Sequence, residues 1–153
     1  METPTRTEDR RGPELPQAFL SHHARLDALL VRLHDEAEAG VRPALERTWA
    51  ELEREMLAHL EEEELYLFPA LAAENAAEQA ALAADHARFR TLLAEIGVAV
   101  ELHAIRLETI DELARSIREH AERENAFLYP WAQRAAEPGP RALRARLHRR
   151  LAG

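Results

Sequence analysis

Two stretches of this chain carry the same chemical groups in the same order. His59-Leu60-Glu61-Glu62-Glu63-Glu64-Leu65-Tyr66-Leu67-Phe68-Pro69 and His120-Ala121-Glu122-Arg123-Glu124-Asn125-Ala126-Phe127-Leu128-Tyr129-Pro130 each place Glu four residues after His, an aromatic ring nine after and Pro ten after. Residues four apart share one face of a helix. Each stretch can therefore aim an imidazole and a carboxylate at one point. Those donors suit iron best, with manganese or zinc as alternatives. The chain has no Cys, which excludes thiolate metal sites and structural disulfides.

The spacing alone is weak, because a Glu-rich chain supplies it by chance. His34 and Glu38 have it too. They lie beside the apolar seam of their helix, and His34 is 11 residues from His23, about 16 Å along a helix axis. That pair is assigned to the surface. Glu63 and Glu124 differ because both follow the core-facing periodicity of their own helices.

The elements that carry these residues follow from composition and periodicity. With 153 residues, 46% apolar, and only five Gly, the chain suits one all-α domain. Residues 1–15 are polar and without periodicity, which predicts a flexible N-terminal arm. A first helix begins near Pro16 with the seam Phe19, His23, Leu26, Leu30, Leu33, Ala37. It is broken by Gly40 and Pro43. A second helix, from about Pro43 to about Ala72, has the seam Leu45, Trp49, Leu52, Met56, His59, Glu63, Tyr66, Ala70, with a kink or stop at Pro69. A third begins near Glu78 with Leu82, His86, Phe89, Leu93, Ile96, Val100. A fourth has Ile110, Leu113, Ile117, His120, Glu124, Phe127, Trp131. Pro138-Gly139-Pro140 ends the bundle, taken as residues 16–136. Residues 137–153 form this break and an Arg-rich tail or short basic helix.

The four seam histidines fall at one depth if the helices run up, down, up and down. In an antiparallel hairpin, residues at equal depth are equidistant from the turn. The midpoints of the three successive pairs are residue 41, about residue 72, and residue 103. The first falls between Gly40 and Pro43 and the second just after Pro69. The third places a turn at 100–106, where no Gly or Pro marks it. An antiparallel four-helix bundle thus gathers His23, His59, His86 and His120 in one layer, with Glu63 and Glu124 about 6 Å away. The halves also repeat. His23-Ala24-Arg25-Leu26 matches His86-Ala87-Arg88-Phe89 at an offset of 63, close to the 61 of the first repeat.

Four core histidines and two core carboxylates without a cation would leave a crowded, unsatisfied polar layer. Two bridging carboxylates and four imidazoles give four ligands to each of two ions. A bridging oxide or hydroxide adds a fifth and leaves a sixth position for a small molecule. No Glu stands three residues before any His, which disfavours ferritin-like di-iron sites, and His-Glu-x-x-His is absent.

The pattern of a lone His, His-x-x-x-Glu, a lone His and His-x-x-x-Glu, with Leu-Phe-Pro or Leu-Tyr-Pro following, resembles the hemerythrin-like cation-binding family over about residues 17–135. The resemblance implies a four-helix bundle holding two iron ions on His23, His59, Glu63, His86, His120 and Glu124, the two Glu bridging. Oxygen-carrying members have two His four apart on the third helix, where this chain has His86 with Arg90 after it and Leu82 before it. They also have an Asp five residues after the fourth-helix His, where this chain has Asn125. It looks instead like the four-His, two-Glu bacterial members. That implies binding or reducing a small oxidant such as oxygen, peroxide or nitric oxide. The alternative is iron storage, donation or sensing without turnover.

Three other residues are weighed. The half-repeat selects His23 over its neighbour His22. Tyr66, in the seam, is expected mainly to pack, with a role beside the metals as the sharper alternative. His103 is expected in a turn, exposed. The net charge of −8 argues against nucleic acid. Residues 141–150, with five Arg and no acid, could instead serve a partner-binding tail. No apolar run reaches membrane-span length and no signal core opens the chain, so a cytoplasmic protein is expected.

Overall fold

The computed structural model describes residues 15–152, and the expected arm lies outside them except for Leu15, which is already helical and buried. Among the described residues there are helices and no strands. The four long helices are α1 (Leu15–Ala39), α2 (Arg42–Tyr66), α4 (Ala76–Glu101) and α5 (Leu107–Arg123). Between α2 and α4 lies short α3 (Phe68–Glu74). After α5 come a five-residue π-helical segment (Glu124–Leu128), α6 (Tyr129–Arg134) and α7 (Pro138–Ala152). In the bundle, α1 packs on α2 and α5, and α4 packs on the same two.

Local chemistry sets the ends. Gly40 adopts φ +70°, the left-handed conformation that stops α1, and Pro43 opens the first turn of α2. Asn75 caps α4, its side chain accepting from the Glu78 N–H at 3.1 Å. The turn expected at 100–106 is found between Glu101 and Leu107. Its left-handed residue is His103, φ +56°, rather than a glycine, and Arg42 donates to His103 Nδ1 at 2.6 Å. His103 is exposed, as expected. The reversal between α2 and α4 comes at Asn75, slightly beyond residue 72, because α3 adds two turns after the break at Leu67.

The break expected at Pro69 is found at Leu67, but the seam positions expected beyond Glu63 and Glu124 are corrected. After Glu63 the buried positions are Leu67, Phe68 and Leu71, while Tyr66 and Ala70 are only half-buried. After Glu124 they are Leu128, Tyr129, Trp131 and Ala132, while Phe127 is exposed. Both slip by about one residue ahead of a proline. Pro has no N–H to donate, and its ring collides with the carbonyl four residues back. Before Pro69 the helix breaks at Leu67, and before Pro130 it widens into a π turn.

Two apolar clusters fill the bundle. One contains Leu26, Met56, Leu60, Phe89 and Ile117, and the other Phe19, Leu67, Phe68, Leu82, Leu128 and Tyr129. The histidine layer lies between them. The basic C-terminal segment is a docked helix rather than a free tail. Leu143 is fully buried, and Arg144 donates to the carbonyls of Ala132 and Ala135 at 2.5 and 2.9 Å, closing the end of α6. Arg146 and Arg150 face Glu62 at 3.7 and 3.2 Å.

Candidate metal centre

Each long helix delivers one histidine to the layer: His23 from α1, His59 from α2, His86 from α4 and His120 from α5. Glu63 stands one turn beyond His59. Glu124 stands one turn beyond His120, where the helix widens. Glu63 and Glu124 are fully buried, the three histidines of α2, α4 and α5 nearly so, and His23 half-buried. The six residues expected from the sequence therefore come together. They form two overlapping groups, His23, His59, Glu63, Glu124 and His86, His120, Glu63, Glu124, with the donor atoms of each group within 4.8 Å of one another.

Glu63 faces both halves. Its Oε1 is 2.7 Å from His59 Nε2, and its Oε2 is 3.2 Å from His86 Nε2. Glu124 Oε1 lies 3.2 Å from His120 Nε2, 3.6 Å from His23 Nε2 and 3.8 Å from His59 Nε2. Glu63 Oε2, Glu124 Oε2, His86 Nε2 and His120 Nε2 are buried without a hydrogen-bond partner. Two outer contacts sharpen the conflict. His86 Nδ1 is 2.9 Å from Glu64, and His120 Nδ1 is 2.8 Å from Asp85. A carboxylate only accepts, so both Nδ1 atoms donate. In a neutral ring the inward Nε2 is then a lone pair facing carboxylate oxygen. Only a proton or a cation between them resolves that, and the donor set fits iron, manganese or zinc.

The electrostatics agree. Burial alone would lower the pKa of His59, but the charges of Glu63 and Glu124 overcome it and push it up to about 10. Burial likewise opposes a charge on His120, yet Glu124 and Asp85 raise its pKa. Burial disfavours the Glu124 carboxylate, but hydrogen bonds with Glu63, His120, His23 and His59 hold it well below the usual carboxylate range. The buried carboxylates thus favour positive charge at His59 and His120, as they would favour a cation. At the outer edge, partial burial disfavours Glu64, but Arg90 and His86 lower its pKa. Arg90 forks onto it at 2.6 and 2.9 Å.

The phenol of the site is Tyr129, not Tyr66. Tyr66 ends α2 half-buried against the second apolar cluster, and the hydrogen bonds to the inner carboxylates come from elsewhere. Tyr129 is fully buried, its ring stacked on Phe19 at 4.0 Å. Its hydroxyl is 2.6 Å from Glu63 Oε1, 3.0 Å from Glu124 Oε1 and 3.1 Å from His23 Nε2. Burial and the charges of Glu124 and Glu63 raise its pKa well above the ordinary value, so it remains a donor. The π turn makes this geometry, because it stacks residues five apart, and Tyr129 is five after Glu124. In an uninterrupted α-helix Leu128 would take that place. The signal in the sequence was the aromatic shared by the two copies. Its first-copy counterpart, Phe68, packs on His86 at 4.8 Å.

His22 stays outside the layer, its ring stacked on His59 at 4.9 Å. Burial, and then the neighbouring His59 and His23, lower its pKa to about 3, so it is neutral. His34 and Glu38 lie with Asp35 at the rim, where Asp35 and Glu38 are exposed. Asp85 and Glu64, the outer partners of the histidines, were not singled out from the sequence, because both sit off the seam.

A family model described as the Hemerythrin HHE cation binding domain matches residues 15–132, and again residues 79–152. The first match spans every helix that contributes to the layer, and the second restarts in α4, as a chain built of two similar halves would. No curated protein and no solved structure gives a match.

Proposed function

Since this chain belongs to the hemerythrin HHE cation-binding domain family, we propose that it holds two iron ions between its halves and binds or reduces a small oxidant there: oxygen, peroxide or nitric oxide. The ligands in this reading are His23, His59, His86 and His120, with Glu63 and Glu124 shared between the ions. The observation that carries it is the set of buried, unpartnered donor atoms converging on the two groups. When bound, iron would supply electrons and an open coordination position to the oxidant.

The chain's own residues set the conditions. Glu63 presents one oxygen to each half. Tyr129 holds a proton against both carboxylates, 2.6 and 3.0 Å away, and orients them. The apolar clusters above and below shield the layer along the bundle axis. Among the described residues no helix is long and apolar enough to cross a membrane.

Metal analysis of the purified protein tests the site. About two irons per chain are expected, and Glu63→Ala with Glu124→Ala should abolish them. Iron content unchanged by both substitutions would overturn the ligand set. Peroxide added to the reduced, iron-loaded protein then separates the chemistries. Repeated turnover supports reduction, and a single stoichiometric oxidation supports storage, donation or sensing.

A further inference from the structure

The two halves repeat, but the groups behind their histidines do not. On one side His86 Nδ1 has the Glu64 carboxylate at 2.9 Å, and His120 Nδ1 has the Asp85 carboxylate at 2.8 Å. At the repeat offsets, Glu64 corresponds to Asn125 and Asp85 to His22. Neither counterpart is a carboxylate. His23 Nδ1 is buried without a partner, and so is Asn125 Oδ1. His22 lies over the face of His59, the rings 20° from parallel. A carboxylate behind Nδ1 fixes the tautomer that leaves the Nε2 lone pair free, and makes the imidazole a stronger donor. His86 and His120 have that support, and His23 has none.

Access differs in the same sense. Phe68 and Phe89 pack against His86 and His120, centroids 4.8 and 5.0 Å away. On the other side a cavity of about 440 Å³ between α1, α2 and α7 reaches His59, with Phe19, His22, Leu147 and Arg150 among its walls. No residue of α4 or α5 lines it.

We propose that the two cation positions are unequal by construction: the one between His86 and His120 fills first and retains its ion, and the one between His23 and His59 exchanges its ion through this cavity. The inference rests on the two-cation reading above.

The full chain, freed of metal with a chelator, is titrated anaerobically with Co(II) in competition with a chromophoric chelator. Two equivalents are expected, with affinities at least about tenfold apart, since removing an outer partner of a ligating His costs about 10–100-fold. Asp85→Asn should weaken the tighter step by about that factor and leave the weaker step unchanged. His22→Asp places a carboxylate where the repeat has Asp85, and should tighten the weaker step and narrow the gap. Glu64→Gln replaces Asp85→Asn if circular dichroism shows loss of helix. Two steps of equal affinity, or Asp85→Asn weakening only the weaker step, would overturn the proposal while leaving the two-cation reading intact. Fewer than two equivalents would overturn that reading and this proposal with it.

Discussion

Tyr129→Phe removes one oxygen from among His23, Glu63 and Glu124 and little else. The ring remains stacked on Phe19 and stays buried, so neither apolar area nor packing volume changes materially. What is lost is the O–H that faces Glu63 at 2.6 Å and Glu124 at 3.0 Å. A hydrogen bond to a charged acceptor contributes roughly 1.5–3 kcal/mol, and the carboxylates left behind are buried, so a loss of about 2 kcal/mol is expected in the metal-free protein. For a chain of 153 residues that lowers Tm by about 4–8 °C. Cations between the carboxylates share their charge, so the drop should be smaller in the metal-loaded form. Thermal unfolding followed by far-UV circular dichroism, with chelator and with iron, measures both. Tyr66→Phe is the control, because Tyr66 stands outside the layer, and its Tm should move by no more than about 1–2 °C, an effect below about 0.5 kcal/mol. If Tyr66→Phe costs as much as Tyr129→Phe, the assignment of Tyr129 as the donor to the inner carboxylates is wrong.

Three further outcomes follow, two from the layer and one from the docking of α7. The pKa of His59 is raised to about 10 in the fold, so its pairing with Glu63 stabilises the metal-free protein fully below the unfolded value near 6.5 and fades as pH rises through about 10. Tm of the chelated protein should fall across that window while the loaded form changes less. Iron uptake near pH 7 should also release protons, read by calorimetry in buffers of different ionisation heat; heats independent of buffer would refute it. A Cβ at Gly139 would overlap the Tyr66 carbonyl oxygen, which is backbone and cannot turn aside. Gly139→Ala should lift α7, cost about 1–3 kcal/mol as overpacking does, and expose α7 to limited proteolysis. An unchanged cleavage pattern would show that α7 tolerates the shift.

The helices and the six inward residues were legible because helical periodicity is local. Leu26, Leu30 and Leu33, or Met56 and His59, face one way because of the 3.6-residue repeat within their own helix, whatever packs against them. Two midpoints fell at or near marked breaks, at Gly40 and beyond Pro69, and equal depth then supplied the unmarked turn, expected at 100–106 and found between Glu101 and Leu107. That turn escaped local reading because His103 takes the left-handed conformation usually given to glycine. Arg42, 61 residues away, helps to hold it there.

By itself the sequence determined the all-α architecture, the layer of four histidines and the choice of Glu63 and Glu124 over their acidic neighbours. These depend on spacing along single helices. Only the tertiary structure decided which tyrosine enters the site and how unlike the two halves are. The π turn before Pro130 rotates Tyr129 inward and Phe127 outward, a change of register that a constant period cannot express. Glu64 reaches His86 from α2 to α4, and Asp85 reaches His120 from α4 to α5. Such contacts join residues 22 and 35 positions apart. They exist only once the helices are packed.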